Sequence, residues 1–514
     1  MPPLPGPAGR VLVAVGGGRG GVGKSLVAVN VAVYLAQLGK RVVLVDADPN
    51  GSNLHTHFGL RAAKVDPWLD EREGSLEGAL LGTLVPGLSI LPAPHDAIAN
   101  APVLRGGRKR RWLTRVRALP GDFVVVDVGA GHGGFAADVL LSADVPVLVT
   151  VPEPPAVEAT YRVLRHAFRR RLRRALLRDR FRSTLLGRYL HESGQVPSPR
   201  ALMAAVVKSD RLLAETALAE AEAMPMQLVV NQTRVRSDVE LGGQMSDLVR
   251  RHYALHVDEL GHVEHDDTVW LTVRRERPLL VDSPTCRAAR NLERIARRVL
   301  ALGTTRVTRP RLPSPITAEG ASLYDVLGVI RTANDEDIRR AYKKLKEVYA
   351  GGSLATVSFF EDVERRAAQG SLEEAYDTLL DPVRRRAYDL STFPDDDARH
   401  GAAPRDKPAL AAEHRMLQAE LAREIGPETE FSGDLLRKVR ESQGVELAEI
   451  CGKTKIAKAH LAAIEDERFD LLPPAVYVRG FVWELAKFLK LDPAQVQKTY
   501  LARMRGSEAA KDRE

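Results

Sequence analysis

Apolar residues in this chain gather first into short unbroken runs and later into helical stripes, and the change of pattern divides it. Five runs, at 11–15, 42–45, 123–126, 145–151 and 227–230, are of strand length and rich in valine. Unbroken apolar strands of that kind are buried on both faces, as in a parallel sheet covered by helices. Between them apolar residues recur at helical spacing, as from Leu26 to Leu38, where Gly39 stops the pattern. Strands alternating with helices from 11 to about 303 predict an α/β fold with a doubly wound, mostly parallel sheet. After a stretch carrying Pro310, Pro313 and Pro315 the pattern turns helical only, which predicts two small all-α domains behind the sheet.

The first run leads into Gly16-Gly17-Gly18-Arg19-Gly20-Gly21-Val22-Gly23-Lys24-Ser25, and a helix follows at once. Gly18, Gly23, Lys24 and Ser25 satisfy G-x-x-x-x-G-K-S/T in the strand–loop–helix context a phosphate-binding loop needs. Glycines there let backbone N–H groups turn toward phosphate oxygens at a helix N-terminus, which already favours anions. Lys24 suits the β- and γ-phosphates, and the Ser25 hydroxyl suits Mg²⁺. Two further runs end in carboxylates, the second in Asp46-Ala47-Asp48 and the third in Asp127, followed by Val128-Gly129. Acids at the carboxyl ends of parallel strands lie in the crevice where α/β proteins bind ligands. Asp127 suits Mg²⁺ held through water, and Gly129 permits close backbone approach to a γ-phosphate.

Arg19-Gly20-Gly21-Val22-Gly23-Lys24-Ser25 resembles the deviant Walker A motif of the MinD/ParA ATPases, K-G-G-x-G-K-S/T. The resemblance implies a P-loop NTPase domain that binds ATP and Mg²⁺ and forms an ATP-dependent homodimer. It places Gly20, Gly21, Val22, Gly23, Lys24, Ser25 and Leu26 at the nucleotide, and Ser25, Asp46 and Asp127 around the metal. It gives Asp48 the task of positioning the hydrolytic water, with Lys24 and Arg19 neutralising the γ-phosphate. In the family the residue at Arg19 is a lysine that reaches the partner's ATP; here the charge stays and the side chain changes shape. The family also has an adenine-reading asparagine after the fifth run, where Asn231 stands. Asn53-Leu54-His55 is similar to the MinD and flagellar-number (FlhG) branch.

From Arg162 to Arg182 there are ten arginines and one acid, Asp179. Val163, Leu164, Phe168, Leu172, Leu176 and Leu177 keep an apolar stripe, so the stretch reads as one basic amphipathic helix. Its arginines suit nucleic acid, an anionic membrane surface, an acidic partner or plain solvent. Farther on, Ser322-Leu323-Tyr324-Asp325-Val326-Leu327-Gly328, Ala341-Tyr342-Lys343-Lys344-Leu345 and Arg386-Ala387-Tyr388-Asp389 resemble a DnaJ-type J-domain. The His-Pro-Asp with which J-domains stimulate the DnaK chaperone is replaced by Tyr349-Ala350-Gly351-Gly352-Ser353, which implies a docking module rather than a co-chaperone. From Phe431 the chain resembles the helix-turn-helix domain of RodZ-type proteins, through Leu435-Leu436-Arg437, Leu447-Ala448-Glu449-Ile450 and Leu472-Pro473-Pro474. Lys455, Lys458 and His460 occupy base-contact positions of a DNA reader, and Glu465, Asp466 and Glu467 follow them.

The expected organisation is a tail at 1–10, the ATPase at 11–303, a linker at 304–320 and the J-like domain at 321–392. A second linker at 393–430, the helix-turn-helix at 431–505 and a tail at 506–514 complete it. The length of 514 residues and an apolar share of 44% suit about three packed domains, and the charge of +8 permits an acidic partner. No apolar run of about 18 residues and no signal-like N-terminus occur, so the expected place is the cytoplasm, with recruitment to a pole, membrane surface or nucleoid. Cys286 and Cys451 stand alone, where an iron–sulfur carrier of the Mrp type needs a pair. The expected function is a slow, partner-stimulated ATPase switch that positions or regulates a cellular machine through its C-terminal modules. The rivals are a DNA-binding transcriptional regulator gated by the ATPase, and a nucleotide-binding pseudo-ATPase scaffold.

Overall fold

A computed structural model describes residues 9–48, 53–61, 76–93, 106–312 except six single positions, 322–393 except 361, and 416, 421, 425–426 and 429–511 except 455. Most of the expected tail at 1–10 and connector at 393–430, and the positions of Pro310, Pro313, Pro315 and Lys455, lie outside the described residues. The chain forms two compact units, 1–304 with 308–407, and 305–307 with 408–514.

The first unit is built on eight strands: β1 (Val11–Gly17), β2 (Val42–Asp46), β3 (Leu81–Gly82), β4 (Leu88–Leu91), β5 (Phe123–Ala130), β6 (Val145–Thr150), β7 (Met226–Thr233) and β8 (Val257–Glu264). Their order in the sheet is β3-β4-β2-β5-β1-β6-β7-β8. Only the short β3–β4 pairing is antiparallel; the others are parallel. The five apolar runs are β1, β2, β5, β6 and β7, and all but the ends of these strands are buried. The chain runs outward from β1 in both directions, to β5 on one side and β6 on the other, which puts the crevice at the carboxyl end of β1. Register completes the placement: Asp127 lies opposite Val15 on one side and Asp46 on the other.

The sheet is flanked by α1 (Lys24–Gln37), α2 (Gly106–Arg117), α3 (Gly134–Ser142), α4 (Pro154–Ala175), α5 (Arg180–Glu192), α6 (Pro199–Val206), α7 (Arg211–Glu222) and α8 (Arg236–Leu248). It continues through α9 (Asp267–Arg274), α10 (Leu279–Asp282) and α11 (Arg287–Thr304). The single basic helix expected over 162–182 is two helices. Asp179, the one acid, accepts from the Arg182 N–H at 2.9 Å and so starts α5. Val163, Leu164, Phe168, Leu172 and Leu176 are buried as the stripe predicts, but Leu177 falls in the turn and is 76% exposed.

Residues 323–392 form α12 (Leu323–Leu327), α13 (Asp335–Val348), α14 (Asp362–Leu380) and α15 (Pro382–Thr392). Tyr342 of α13 stacks on Tyr376 of α14 at 4.0 Å, closing a helical hairpin. Arg385 donates to the carbonyls of Arg331 and Ala333 at 2.7 and 2.9 Å, tying α15 to the turn before α13. Composition sets this stretch apart behind a linker; the structure instead packs it into the core of the sheet domain. Phe359 stacks on Tyr253 at 4.5 Å and meets the Tyr161 ring edge-on at 4.8 Å. The Tyr161 hydroxyl, fully buried on α4, donates to the Ala355 carbonyl at 2.6 Å. His252 Nε2 and the Tyr349 hydroxyl are 2.6 Å apart, and Arg251 donates to the Val326 carbonyl at 2.6 Å. Burial is what joins the two parts: an apolar aromatic face on each was matched to the other.

The second unit is all-helical, with helices Gly433–Ser442, Leu447–Thr454, Lys458–Glu465, Ala475–Phe488 and Pro493–Lys511. Its own core includes Phe431, Leu436, Ile450, Leu461, Ile464, Val482 and Tyr500. The acids that follow the third helix are not a repulsive surface. Glu465 is buried and receives Arg440 at 2.6 and 2.9 Å, and Glu467 pairs with Arg503 at 3.0 Å. Of the expected base-contact residues Lys458 is exposed, whereas the His460 ring packs on Phe481 at 5.6 Å.

Candidate active site

The turn from β1 into α1 is tight because Gly23 has φ +90° and Gly21 φ +79°, in the left-handed region that side chains avoid. A Cβ on Gly23 would also lie 2.1 Å from Asn231 Nδ2, which donates to the Val22 carbonyl at 2.9 Å. Asn231 is 2% exposed, inside β7 rather than beyond it. Its amide therefore braces the loop from below.

Lys24 is buried, and Nζ donates to the Arg19 carbonyl at 3.2 Å, across the mouth of the loop. Burial pushes its pKa down, against the pull of the Asp127 and Asp48 carboxylates. Ser25 Oγ donates to Asp127 Oδ2 at 2.6 Å. Asp127 is 1% exposed, and burial raises its pKa to about 6 despite that bond and the nearby Lys24 ammonium. Its Oδ1 is buried with no hydrogen-bond partner. A buried carboxylate with one oxygen unmatched, beside a serine hydroxyl, is a donor set for a hard cation such as Mg²⁺, which takes one or two protein oxygens and completes its shell from water and phosphate. The residues fit the metal.

Asp46, opposite Asp127, is fully buried and accepts from the Asp48 and Leu54 backbone N–H groups at 3.3 and 3.4 Å. It orders the loop after β2 from within. Asp48 is half-buried, and its carboxylate lies directly over Gly129, where a Cβ would approach Oδ1 and Oδ2 to 2.8 Å. Gly129, at φ +54°, is thus required twice, by the backbone and by Asp48. The structure brings Lys24, Ser25, Asp46, Asp48 and Asp127 to the carboxyl ends of β1, β2 and β5, with Gly20, Gly21, Val22 and Leu26 on the loop and first turn around them.

Arg19 is half-exposed, and its Nη1 pairs with Glu153 Oε2 at 2.7 Å. Glu153 precedes α4, and α4 also meets the loop through Ala159, whose backbone would lie 2.5 Å from a Cβ on Gly18. Glu153 and Ala159 were not singled out by sequence. The one available signal was the acid in Pro152-Glu153-Pro154 at a strand end, and nothing in the pattern pairs it with Arg19.

The family model for the CobQ/CobB/MinD/ParA nucleotide binding domain matches residues 13–373. The chain belongs to that family. The family match extends past the sheet into α14, in keeping with the shared core. A helix-turn-helix domain model matches residues 435–496. The MinD/ParA-type chain is similar to an iron–sulfur cluster carrier protein of Synechocystis, 36% identical over 28% of this chain and 41% of that one. It is similar to the antiactivator FleN of Pseudomonas aeruginosa, 33% identical over 30% of this chain and 55% of that one. The match spans about half the length of these curated relatives. Among solved structures, the septum site-determining protein MinD of Pyrococcus horikoshii with Mg-ADP aligns at 19% identity and a TM-score of 0.38, over 56% of this chain and 96% of that one. None of the helices among the described residues is long and apolar enough to cross a membrane.

Proposed function

We propose that the chain is an ATP-hydrolysing switch of the MinD/ParA kind, which forms a homodimer with ATP and acts on partners through its helical parts. The observation that carries this is the Ser25–Asp127 pair with an unmatched buried oxygen, set beside Lys24 and below Asp48. Ser25 and Asp127 would hold Mg²⁺, which supplies charge neutralisation of the phosphates when bound. Lys24 turns from the Arg19 carbonyl to the β- and γ-phosphates, regaining a counter-charge for its buried ammonium. Asp48 accepts a hydrogen bond from the attacking water and so orients it; Asp46 keeps Asp48 in place. Gly129 gives the γ-phosphate a backbone N–H that a side chain would block.

Arg19 supplies the cross-subunit cation. Its pairing with Glu153 is an exposed ion pair, of a class worth about 0–1 kcal/mol, so releasing it toward a partner's phosphate costs little. Residues 323–392, J-like in sequence and lacking His-Pro-Asp, serve as part of the switch body. The RodZ-like unit serves as the adaptor to a protein partner at a pole or membrane surface. A DNA-reading alternative for that unit has one observation in its favour: Glu465 and Glu467 are neutralised internally and do not repel a phosphate backbone.

The test is phosphate release and sedimentation of the full chain with ATP and Mg²⁺. Lys24→Ala should lose nucleotide binding, and Asp48→Ala should bind ATP, stop turning over and accumulate as the dimer. Unchanged nucleotide affinity in Lys24→Ala overturns the reading. For the helix-turn-helix unit, steeply salt-dependent duplex binding that Lys458→Glu removes would establish the DNA alternative.

A further inference from the structure

A cavity of about 310 Å³ opens between the first turn of α3 and the C-terminal half of α4, and its wall is cationic. His166, Arg169, Arg170, Arg173 and Arg174 line it from α4, on one helical face, and Leu177 lines it from the turn that follows. From α3 come Gly134 and Ala137; Gly133 caps that helix without a side-chain bond, so its first N–H groups add partial positive charge.

The counter-charge is a single carboxylate. Asp138, fully buried, pairs with Arg170 and Arg174 and with Lys109 of α2. Arg170 Nη2 reaches Asp138 Oδ2 at 2.6 Å, and a Cβ on Gly134 would lie 3.2 Å from Arg170 Nη1. Asp138 thus fixes three cations around the cavity but neutralises only one. Arg169 and Arg173 have no carboxylate partner among the described residues, and burial and then the Arg173 charge push the Arg169 pKa down. Arg169, half-buried, and Arg173, exposed, thus add two guanidinium charges to the two guanidiniums and one ammonium that Asp138 holds, and a guanidinium is the group that takes phosphate oxygens in pairs.

We propose that this cavity binds the phosphate monoester of an organic ligand, at a site separate from the phosphate loop. A guanidinium fork takes two oxygens of a phosphate, and a dianionic monoester answers a net surplus that one carboxylate leaves unmet. The volume exceeds that of one phosphate group and leaves room for what the phosphate is attached to. Leu177, which lines the cavity, is 76% exposed and gives it an apolar side. An apolar side on an arginine cavity suits the phosphorylated headgroup of a lipid as well as a soluble organophosphate, and the chemistry read by the arginines is the same.

The test uses the full chain with Mg-ADP in excess, so that the phosphate loop is filled. Fructose bisphosphate is titrated calorimetrically, and vesicles of phosphatidylcholine with and without phosphatidic acid are co-sedimented. The variant Arg169→Glu/Arg173→Glu removes the two unpaired cations and leaves the Asp138 cluster alone; Arg178→Glu/Arg180→Glu makes the same change of charge outside the cavity. Binding of either probe should weaken by roughly tenfold or more in the first variant and stay within about twofold in the second. If the glutamates disturb folding, Arg169→Gln/Arg173→Gln gives the same comparison against Arg178→Gln/Arg180→Gln. Binding of the sugar phosphate alone identifies a soluble ligand; binding of the phosphatidic acid vesicles identifies a headgroup. Equal losses in both variants, or preferential binding of duplex DNA that both abolish, would show only the general field of the arginines and overturn the proposal. So would the absence of binding by either probe.

Discussion

Asp127→Asn should make the ligand-free protein more stable while disabling it. The carboxylate is buried, and its pKa in the folded chain is about 6 against about 4 in the unfolded one. For an acid with a raised pKa the folded state binds the proton more tightly, so ionisation opposes folding. The stability lost is therefore absent below about pH 4, grows as pH rises through about 6, and is complete above it. The difference of about two units corresponds to about 3 kcal/mol at about pH 7.5, falling to about 1.6 kcal/mol at about pH 5. Asparagine has the shape of the carboxyl and no charge, and its oxygen can still accept from Ser25 Oγ. Chemical denaturation of wild type and variant at the two pH values, without nucleotide or magnesium, measures the gap directly. Groups common to both, such as His252 and His256, cancel in the difference. With Mg-ATP at about a thousandfold over its dissociation constant the wild type should gain about 4 kcal/mol and the variant little, reversing the order. A variant that is no more stable than wild type without ligand, or whose advantage does not change with pH, would refute the account of a carboxylate kept under strain for a cation.

Three further outcomes are expected. Arg19→Ala should keep near-normal nucleotide affinity yet sediment as a monomer with ATP in an Asp48→Ala background, whereas Arg19→Lys should still dimerise; dimerisation of Arg19→Ala equal to its parent's would make Arg19 a bystander. His252, whose pKa burial lowers to about 4, should withdraw stability as pH falls below about 6.5 toward 4, because the unfolded state takes up the proton first; His252→Gln should lose that slope in acid denaturation, and an unchanged slope would be contrary. The full chain should not accelerate ATP hydrolysis by a DnaK-type chaperone in a coupled phosphate assay, since Tyr349-Ala350-Gly351-Gly352-Ser353 stands where the proposed J-domain resemblance would put His-Pro-Asp; acceleration like that of an intact J-domain would contradict it.

The sheet was legible where burial is two-sided: the valine runs of β1, β2, β5 and β6 have no other reading. β8 was not, because Val257-Asp258-Glu259-Leu260-Gly261-His262-Val263-Glu264 lies at the sheet edge and carries polar residues on its open face. The loop residues Lys24 and Ser25 and the strand-end acids were legible because catalysis fixes residue types at fixed places along the chain. What joins them was not: Ser25 to Asp127, Arg19 to Glu153 and Asn231 to Val22 are contacts of high sequence separation that no local pattern carries. The same limit hid the docking of 323–392. Tyr161, Tyr253 and Phe359 stand far apart in the chain with no local pattern that pairs them, and their meeting in the fold helps join the helical part to the sheet domain.

That meeting should make a continuous chain between Leu312 and Ser322 dispensable for association. Tyr161 is 1% exposed and Tyr253 5%, and Phe359 is the ring that covers them both. A cut in this stretch would leave two fragments that hold each other, as a split protein does, and the first fragment alone would present a wet aromatic wall and self-associate. Two polypeptides, one ending before the cut and one beginning after it, should be recovered together when co-expressed and poorly when expressed apart. The helical part would then be a subunit that happens to share a chain with its partner.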